Sequence, residues 1–260
     1  MPFVAEQLAM RLADRDVLAG LSFAIAPRER VVLLGVNGCG KTTLLKLLDG
    51  LLPPTGGGLR YDGRALDGRA LAEAAFRRRF RSEVGFLFQN VDAMLFNPTV
   101  ADEIAFGPRQ LGCKDVEARV ERYAKLFGAD AWLARPPFEL SGGEKKRVAL
   151  AALMAVEPKV LLLDEPTAGL DPAWSARLVD ILDHHEELTV ITSTHNLSVV
   201  AELGARVLLL PPRPGPILYD GSPEGLADNE EMLIASGLAH RHEHHHHGAT
   251  HVHFHVHDGD

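Results

Sequence analysis

Gly35-Val36-Asn37-Gly38-Cys39-Gly40-Lys41-Thr42 fits the pattern G-x-x-x-x-G-K-[ST], and it stands between two segments of different period. Before it, Arg30–Leu34 (RVVLL) is a short apolar run of the kind that forms a buried strand. After it, residues 41–51 carry helical spacing. A Gly-rich turn could match this pattern by chance, but the strand–loop–helix setting argues for the chemistry. Glycines let successive backbone N–H groups curl round a polyphosphate that side chains would obstruct, and the following helix adds its N-terminal dipole. Lys41 then supplies a point charge for the β- and γ-phosphates, and Thr42 a hydroxyl for Mg²⁺. Asn37, Gly38, Cys39, Gly40 and Thr43 complete the predicted nucleotide contacts.

Further apolar runs extend the pattern outward: residues 159–163 (KVLLL), 189–193 (TVITS) and 206–210 (RVLLL), with helix-period stretches over 142–156 and 172–187 between them. Short, fully apolar strands alternating with helices point to a mostly parallel sheet covered on both faces. The N-terminal segment, with 21–26 ahead of Val31, can instead pair antiparallel at an edge. Residues 115–127 read as a helix stopped by Gly128. Residues 62–81 read as loop-rich, ending in a basic, solvated helix face (RRRFR). Proline at four of the six positions of PPRPGP, 211–216, ends the main sheet. The run Leu161-Leu162-Leu163-Asp164-Glu165 buries a strand and then delivers two carboxylates at its C-terminal end, where nucleotides bind in such folds. Asp164 would hold Mg²⁺ and Glu165 would polarise the attacking water. Taken alone, the pair reads equally as solvated carboxylates; beside a phosphate loop it reads as a site.

The chain has 260 residues, 46% of them apolar and 24% charged, enough for one large α/β domain with a small appendage. Its formal charge of −8 gives no basic excess and excludes nucleic acid as an expected partner. Two cysteines, Cys39 and Cys113, exclude a disulfide framework and fit a reducing compartment. The start lacks the basic and apolar regions of a secretory signal, and no apolar run reaches the ~18 residues of a membrane span. A soluble, cytosolic chain is expected.

Leu140-Ser141-Gly142-Gly143-Glu144 lies between the phosphate loop and the carboxylates. Ser141 with Glu144 fits a capping box, and the same serine with the Gly142 and Gly143 amides at a helix start makes a second anion site. With these three motifs in this order, the chain resembles the ABC-type ATPases over roughly residues 3–238. The resemblance implies a P-loop NTPase fold with a mostly parallel sheet, an antiparallel edge subdomain, and a helical signature subdomain over about 90–157. It implies that the signature docks on ATP held by another protomer, so that ATP joins two ATPase chains, identical or paired with a second kind. It assigns Gln89, after the strand 84–88, to Mg²⁺ sensing and contact with the membrane partner. It assigns Gly169-Leu170-Asp171 to the dimer interface and His195, after the strand 189–193, to the γ-phosphate. Glu165, His195 and Gln89 form the implied catalytic set, and Thr42, Gln89 and Asp164 the implied Mg²⁺ set. One departure stands out. The position at which the family stacks an aromatic ring on adenine falls here at Leu12, and apolar contact from Leu12 or Val17 would replace it.

The segment from Asn90-Val91-Asp92-Ala93-Met94-Leu95-Phe96 to Phe106-Gly107-Pro108 resembles the energy-coupling-factor subgroup of importers, as does Tyr219-Asp220-Gly221-Ser222-Pro223. The ATPases of that subgroup serve cobalt, nickel and vitamin uptake. The resemblance implies a separate transmembrane scaffold subunit, a metal-binding membrane subunit, and a peripheral place on the cytoplasmic face of the membrane. On the residues alone, Met94, Leu95 and Phe96 are equally a docking groove for a partner helix or core packing.

Thirteen histidines remain to be placed, and only His184, His185 and His195 precede residue 240. His240, His242, His244, His245, His246 and His247 form one block, and His251, His253, His255 and His257 alternate with Thr-, Val- and Phe-containing sequence in a second. An extended backbone puts the alternating four on one face. Neutral imidazole suits Ni²⁺, Co²⁺ and Zn²⁺. An expression tag fits poorly, since Glu243 interrupts the first block and no common tag alternates with Val and Phe; functionless disorder is the other alternative. The sequence therefore reads as an ATPase domain over 1–238 with a flexible, metal-binding tail over 239–260. Its expected role is the ATP-hydrolysing subunit of a nickel or cobalt importer. The rivals are zinc or vitamin cargo, and a metal store that merely retains the nucleotide fold.

Overall fold

The computed structural model describes the backbone of residues 1–246 and 249–256, and side chains through Ala239. The strands are β1 (Phe3–Leu12), β2 (Arg15–Ile25), β3 (Arg30–Leu34), β4 (Gly56–Tyr61), β5 (Arg64–Ala65), β6 (Val84–Leu87), β7 (Val160–Asp164), β8 (Thr189–Thr194), β9 (Arg206–Leu209), β10 (Tyr219–Gly221), β11 (Ala239–His246) and β12 (Ala249–Val256). The helices are α1 (Lys41–Leu48), α2 (Gly68–Ala72), α3 (Ala74–Glu83), α4 (Val100–Leu111), α5 (Val116–Leu126), α6 (Gly142–Met154), α7 (Pro172–Asp183), α8 (Val200–Leu203), α9 (Pro223–Ala227) and α10 (Glu230–Ala235). They fall into two compact units, residues 1–71 with 190–260, and residues 72–189.

In the first unit, β2-β1-β4-β5 form an antiparallel sheet in which Phe3 stands opposite both Ile25 and Tyr61. Alternate residues of β1 and β2 are buried, among them Phe3, Leu8, Leu21 and Ile25, because one face of the sheet packs inward. Strand β3 is different: Val31 through Leu34 are all buried, as a strand covered on both faces requires. It pairs in parallel with β8 and with β9, and β10 closes the edge antiparallel to β9. Helix α1 buries Leu44, Leu45, Leu47 and Leu48. Residues 239–246 and 249–256 pair as a hairpin, β11 against β12.

In the second unit β6 and β7 run parallel, with Val84 beside Val160 and Leu87 beside Leu163. Helices α3 to α7 surround this pair in sequence. Helix α5 ends where Gly128 takes φ 59°, as the sequence predicts. Residues 62–81 depart from expectation. They hold β5, α2 and most of α3, and on α3 Phe76 and Phe80 are buried and stacked with centroids 6.0 Å apart. The arginines there occupy one side of an amphipathic helix whose other side is core.

Candidate functional site

The phosphate loop leaves the C-terminal end of β3. Gly35, Gly38 and Gly40 all have positive φ, and Gly40, at 104°, is the N-cap of α1. A Cβ on Gly40 would lie 2.6 Å from Leu18 Cδ2, so both conformation and close approach require glycine there. The same contact places Leu18 and Val17 of β2 against the loop; Val17 is half-buried and Leu12 is exposed. Lys41 is buried, and its Nζ donates to the Gly35 carbonyl at 2.6 Å and the Val36 carbonyl at 3.2 Å. The ammonium is thereby held along the inside of the loop. Burial raises the Cys39 thiol pKa, with the neighbouring Lys41 charge opposing, so this cysteine is a packing residue of the loop.

Because Leu34 of β3 stands beside Thr194, the last residue of β8, His195 just after it emerges at the same edge as the phosphate loop. It is half-buried, and Asn196 after it caps a short turn by accepting from the Ser198 amide at 2.8 Å. Within the first unit the structure therefore brings His195 to the loop's edge. His184 and His185, which end α7, do something else. Their Nδ1 atoms pair with the Asp180 and Ile181 carbonyls four residues back, a local use at a helix C-terminus.

The second unit repeats this arrangement. Leu87 stands beside Leu163, so Gln89 and the Asp164-Glu165 pair leave the same end of β6 and β7. Asp164 and Glu165 are 1% and 7% exposed, which excludes the solvated-pair reading. Glu165 has φ 49°, a left-handed conformation that costs a side-chain-bearing residue energy and that neighbours must hold. Lys146 of α6 does so: its buried Nζ donates to the Glu165 carbonyl at 3.0 Å and also to that of Ala168. Burial lowers the Lys146 pKa, with the Glu165 and Asp164 charges opposing.

Ser141, Gly142 and Gly143 open α6 in a complete capping box, with Glu144 accepting from the Ser141 amide and hydroxyl, each at 2.7 Å. The box does not use up the glycines. Ser141, Gly142, Gly143, Gly169, Asp171 and Arg147 line a cavity of about 430 Å³ beside Trp174. A Cβ on Gly143 would stand 3.2 Å from the Gly169 carbonyl, a tight fit where residues 169–171 pass the helix start. Arg147 forms one wall: its guanidinium lies 3.6 Å from the Trp174 ring centroid and 4.5 Å from that of Trp132, and Nε donates to the Phe127 carbonyl at 2.9 Å. An oriented cation beside two glycine amides and a helix N-terminus is an arrangement chemically suited to an anion. Lys145, between these residues, pairs with Asp92 at 2.6 Å and so ties the segment after Gln89 to the signature helix.

That segment is packed in part and exposed in part. Met94 is half-buried, its sulfur 3.3 Å from the Phe88 amide, and buried Glu103 accepts from the Phe96 and Asn97 amides at 2.9 and 2.8 Å. Phe96 is nevertheless 66% exposed, its ring edge-on to that of exposed Phe106 at 5.0 Å. Among residues with described side chains no group of three or more His, Cys, Asp and Glu could hold a metal ion. The tail histidines' backbones are described from His240 to His246 and from His251 to His255; His247 and His257 lie outside the described residues.

The first unit thus carries the glycine-rich loop with Lys41, and the second the buried Asp164-Glu165 pair and the Ser141-Gly142-Gly143 start of α6. A model of the ABC transporter family matches residues 18–168, and the chain belongs to that family as an ATPase, cleaving ATP to ADP and phosphate. It is 44% identical to NikO, a nickel import ATP-binding protein of Rhodobacter capsulatus, over 74% of this chain and 79% of that one. It is 38% identical to EcfA, an energy-coupling factor transporter ATP-binding protein of Methanocaldococcus jannaschii, over 85% and 79%. Among solved structures it resembles CbiO1 of Clostridium perfringens, described as part of the ABC transporter complex CbiONQ, with a TM-score of 0.76, 29% identity, and 90% and 93% coverage. No described helix is long and apolar enough to cross a membrane.

Proposed function

We propose that this chain is the ATP-hydrolysing subunit of an energy-coupling-factor-type importer that moves a transition-metal cation, nickel or cobalt, into the cell. The observation that carries the ATPase half is the buried Asp164-Glu165 pair, with Glu165 held in a left-handed turn by Lys146. In this reading Lys41 and the amides of residues 37–43 bind the phosphates, Glu165 takes a proton from the attacking water, and His195 positions the γ-phosphate. The hydroxyl of Thr42, the amide oxygen of Gln89 and the carboxylate of Asp164 are hard oxygen donors of the kind Mg²⁺ takes, and would hold it with the nucleotide. Bound there, Mg²⁺ supplies positive charge against the phosphate oxygens.

The Ser141–Gly143 receptor meets ATP held by a second ATPase chain, so that nucleotide closes a dimer. Exposed Phe96 and Phe106 take a helix of a transmembrane scaffold subunit, and a metal-binding membrane subunit completes the transporter. The chain then sits peripherally on the cytoplasmic face of the membrane. The likeness to NikO, a nickel import ATP-binding protein, and the ten histidines after residue 239 support a metal cargo. Isolating the chain from membranes tests the reading. Recovery with a transmembrane scaffold and a metal-binding membrane subunit is expected; a vitamin-binding partner, or none, would overturn it.

A further inference from the structure

Lys145, Lys146 and Arg147 follow the Ser141–Glu144 box directly, and each grips a different part of the second unit. At about 3.6 residues per turn, consecutive side chains of a helix point in different directions. Lys145 pairs with Asp92, and Lys146 holds the Glu165 and Ala168 carbonyls. Arg147 turns to the end of α5: its Nε donates to the Phe127 carbonyl at 2.9 Å, and Nη2 donates to that of Gly128. Carbonyls at a helix C-terminus have no partner within their own helix. The guanidinium that satisfies them lies 3.6 Å from the ring centroid of Trp174 on α7. Arg177 of α7 lies 5.0 Å from the same ring, and it donates to the Leu126 carbonyl at 3.0 Å. Trp174 thus meets two arginines, both anchored on the end of α5.

Trp174 also sets the start of its own helix. Its amide donates at 3.0 Å to the side chain of Asp171, the N-cap of α7. Asp171 closes the loop that opens with Glu165. Within that loop the Ala168 amide reaches the Glu165 carbonyl at 3.3 Å, and the Leu170 amide reaches that of Thr167 at 3.1 Å. Neighbouring residues of α6 therefore hold both ends of the loop, Lys146 at its start and Arg147, through Trp174, at its end. A loop fixed at one end pivots; fixed at both, it keeps its first side chain in one orientation. We infer that Arg147 is a positioning residue for ATP hydrolysis: by stacking on Trp174 it fixes the 165–171 loop and so the aim of the Glu165 carboxylate. The inference rests on the reading of Glu165 as general base given above. Shape matters here more than charge. A planar guanidinium can serve two carbonyls at once and lay a flat face on an indole, whereas an ammonium is a point charge with no such face.

The test is steady-state ATP hydrolysis by the full chain, with kcat and KM separated, for Arg147→Lys, Trp174→Ala and Trp174→Phe. Arg147→Lys keeps a positive charge beside the cavity but loses the planar fork. It is expected to lower kcat about tenfold or more while the KM for ATP stays within about twofold of the parent, because a misplaced reacting group slows chemistry without loosening substrate. Trp174→Ala should do the same, and Trp174→Phe, which keeps an aromatic face, should recover most of the lost kcat. Circular dichroism and direct ATP titration check that each variant is folded and binds nucleotide; if Trp174→Ala does not fold, Arg147→Lys decides alone. Parent-like kcat in Arg147→Lys would overturn the inference, because charge would then suffice. So would a Trp174→Phe variant as slow as Trp174→Ala, or a loss confined to KM. Glu165→Gln measured alongside separates the two claims. Parent-like turnover in Glu165→Gln removes the general-base reading and the inference built on it. Parent-like kcat in Arg147→Lys, beside an inactive Glu165→Gln, removes the positioning role alone.

Discussion

Lys146 Nζ donates to the backbone carbonyl of Glu165 at 3.0 Å, and the same buried ammonium reaches the Ala168 carbonyl. One side chain thus fastens the helix that begins with Ser141-Gly142-Gly143 to the turn that carries the proposed general base. Lys146→Met would leave two inward-facing carbonyls short of a donor, at about 1–3 kcal/mol. A lower urea midpoint is expected. ATP turnover should fall while the KM for ATP changes little, since the loop that grips the phosphates is untouched. A lower midpoint with unchanged turnover would make Lys146 purely structural.

Lys41 has a different role. Its bonds to Gly35 and Val36 hold the charge inside the phosphate loop. Lys41→Ala removes a charge-assisted contact worth about 1.5–3 kcal/mol, so ATP affinity should drop by about tenfold or more. Direct nucleotide titration reads this.

The capping box gives a prediction about pH. The Ser141 amide, then its hydroxyl, holds the Glu144 carboxyl below the usual carboxylate range. A depressed pKa means that the box contributes stability above the unfolded carboxylate value of about 4.3, and that this is lost as pH falls through the folded value. Ser141→Ala should cost about 0.5–2 kcal/mol at neutral pH. The gap between parent and variant should narrow in urea melts at progressively lower pH.

Phe96 and Phe106 offer a test of coupling. Phe96→Asp places a charge on a two-thirds-exposed ring position without entering the core. Co-isolation with the transmembrane subunit should be lost while the circular dichroism spectrum is kept. Undiminished recovery of the complex would move the docking surface elsewhere.

The parts of the site that chemistry makes contiguous were legible before any coordinates. The phosphate loop needs glycines, lysine and threonine in one stretch, and β3 spans the same residues, Arg30–Leu34, in sequence and structure. Strand ends delivering Gln89, Glu165 and His195 were also visible, because fully apolar runs of this length mark buried parallel strands. Lys146 and Arg147 were not. Basic residues on a helix read as solvated, and only folding brings them the left-handed Glu165 turn and the Trp174 ring. Phe76 and Phe80 already stood four residues apart, but the arginines between them concealed the apolar face. In the tail, the alternation of 251–257 was plain.

Metal uptake by cells that carry the chain with the proposed membrane subunits bears most directly on how ATP hydrolysis is used. Nickel or cobalt accumulation should be measured with the parent chain and with Glu165→Gln, after confirming that the variant still binds ATP. Loss of the general base should cut hydrolysis by about 10²–10⁴-fold, trap the ATP-bound dimer, and abolish accumulation. Parent-like hydrolysis and accumulation in Glu165→Gln would contradict both the role of Glu165 and the coupling of its chemistry to transport.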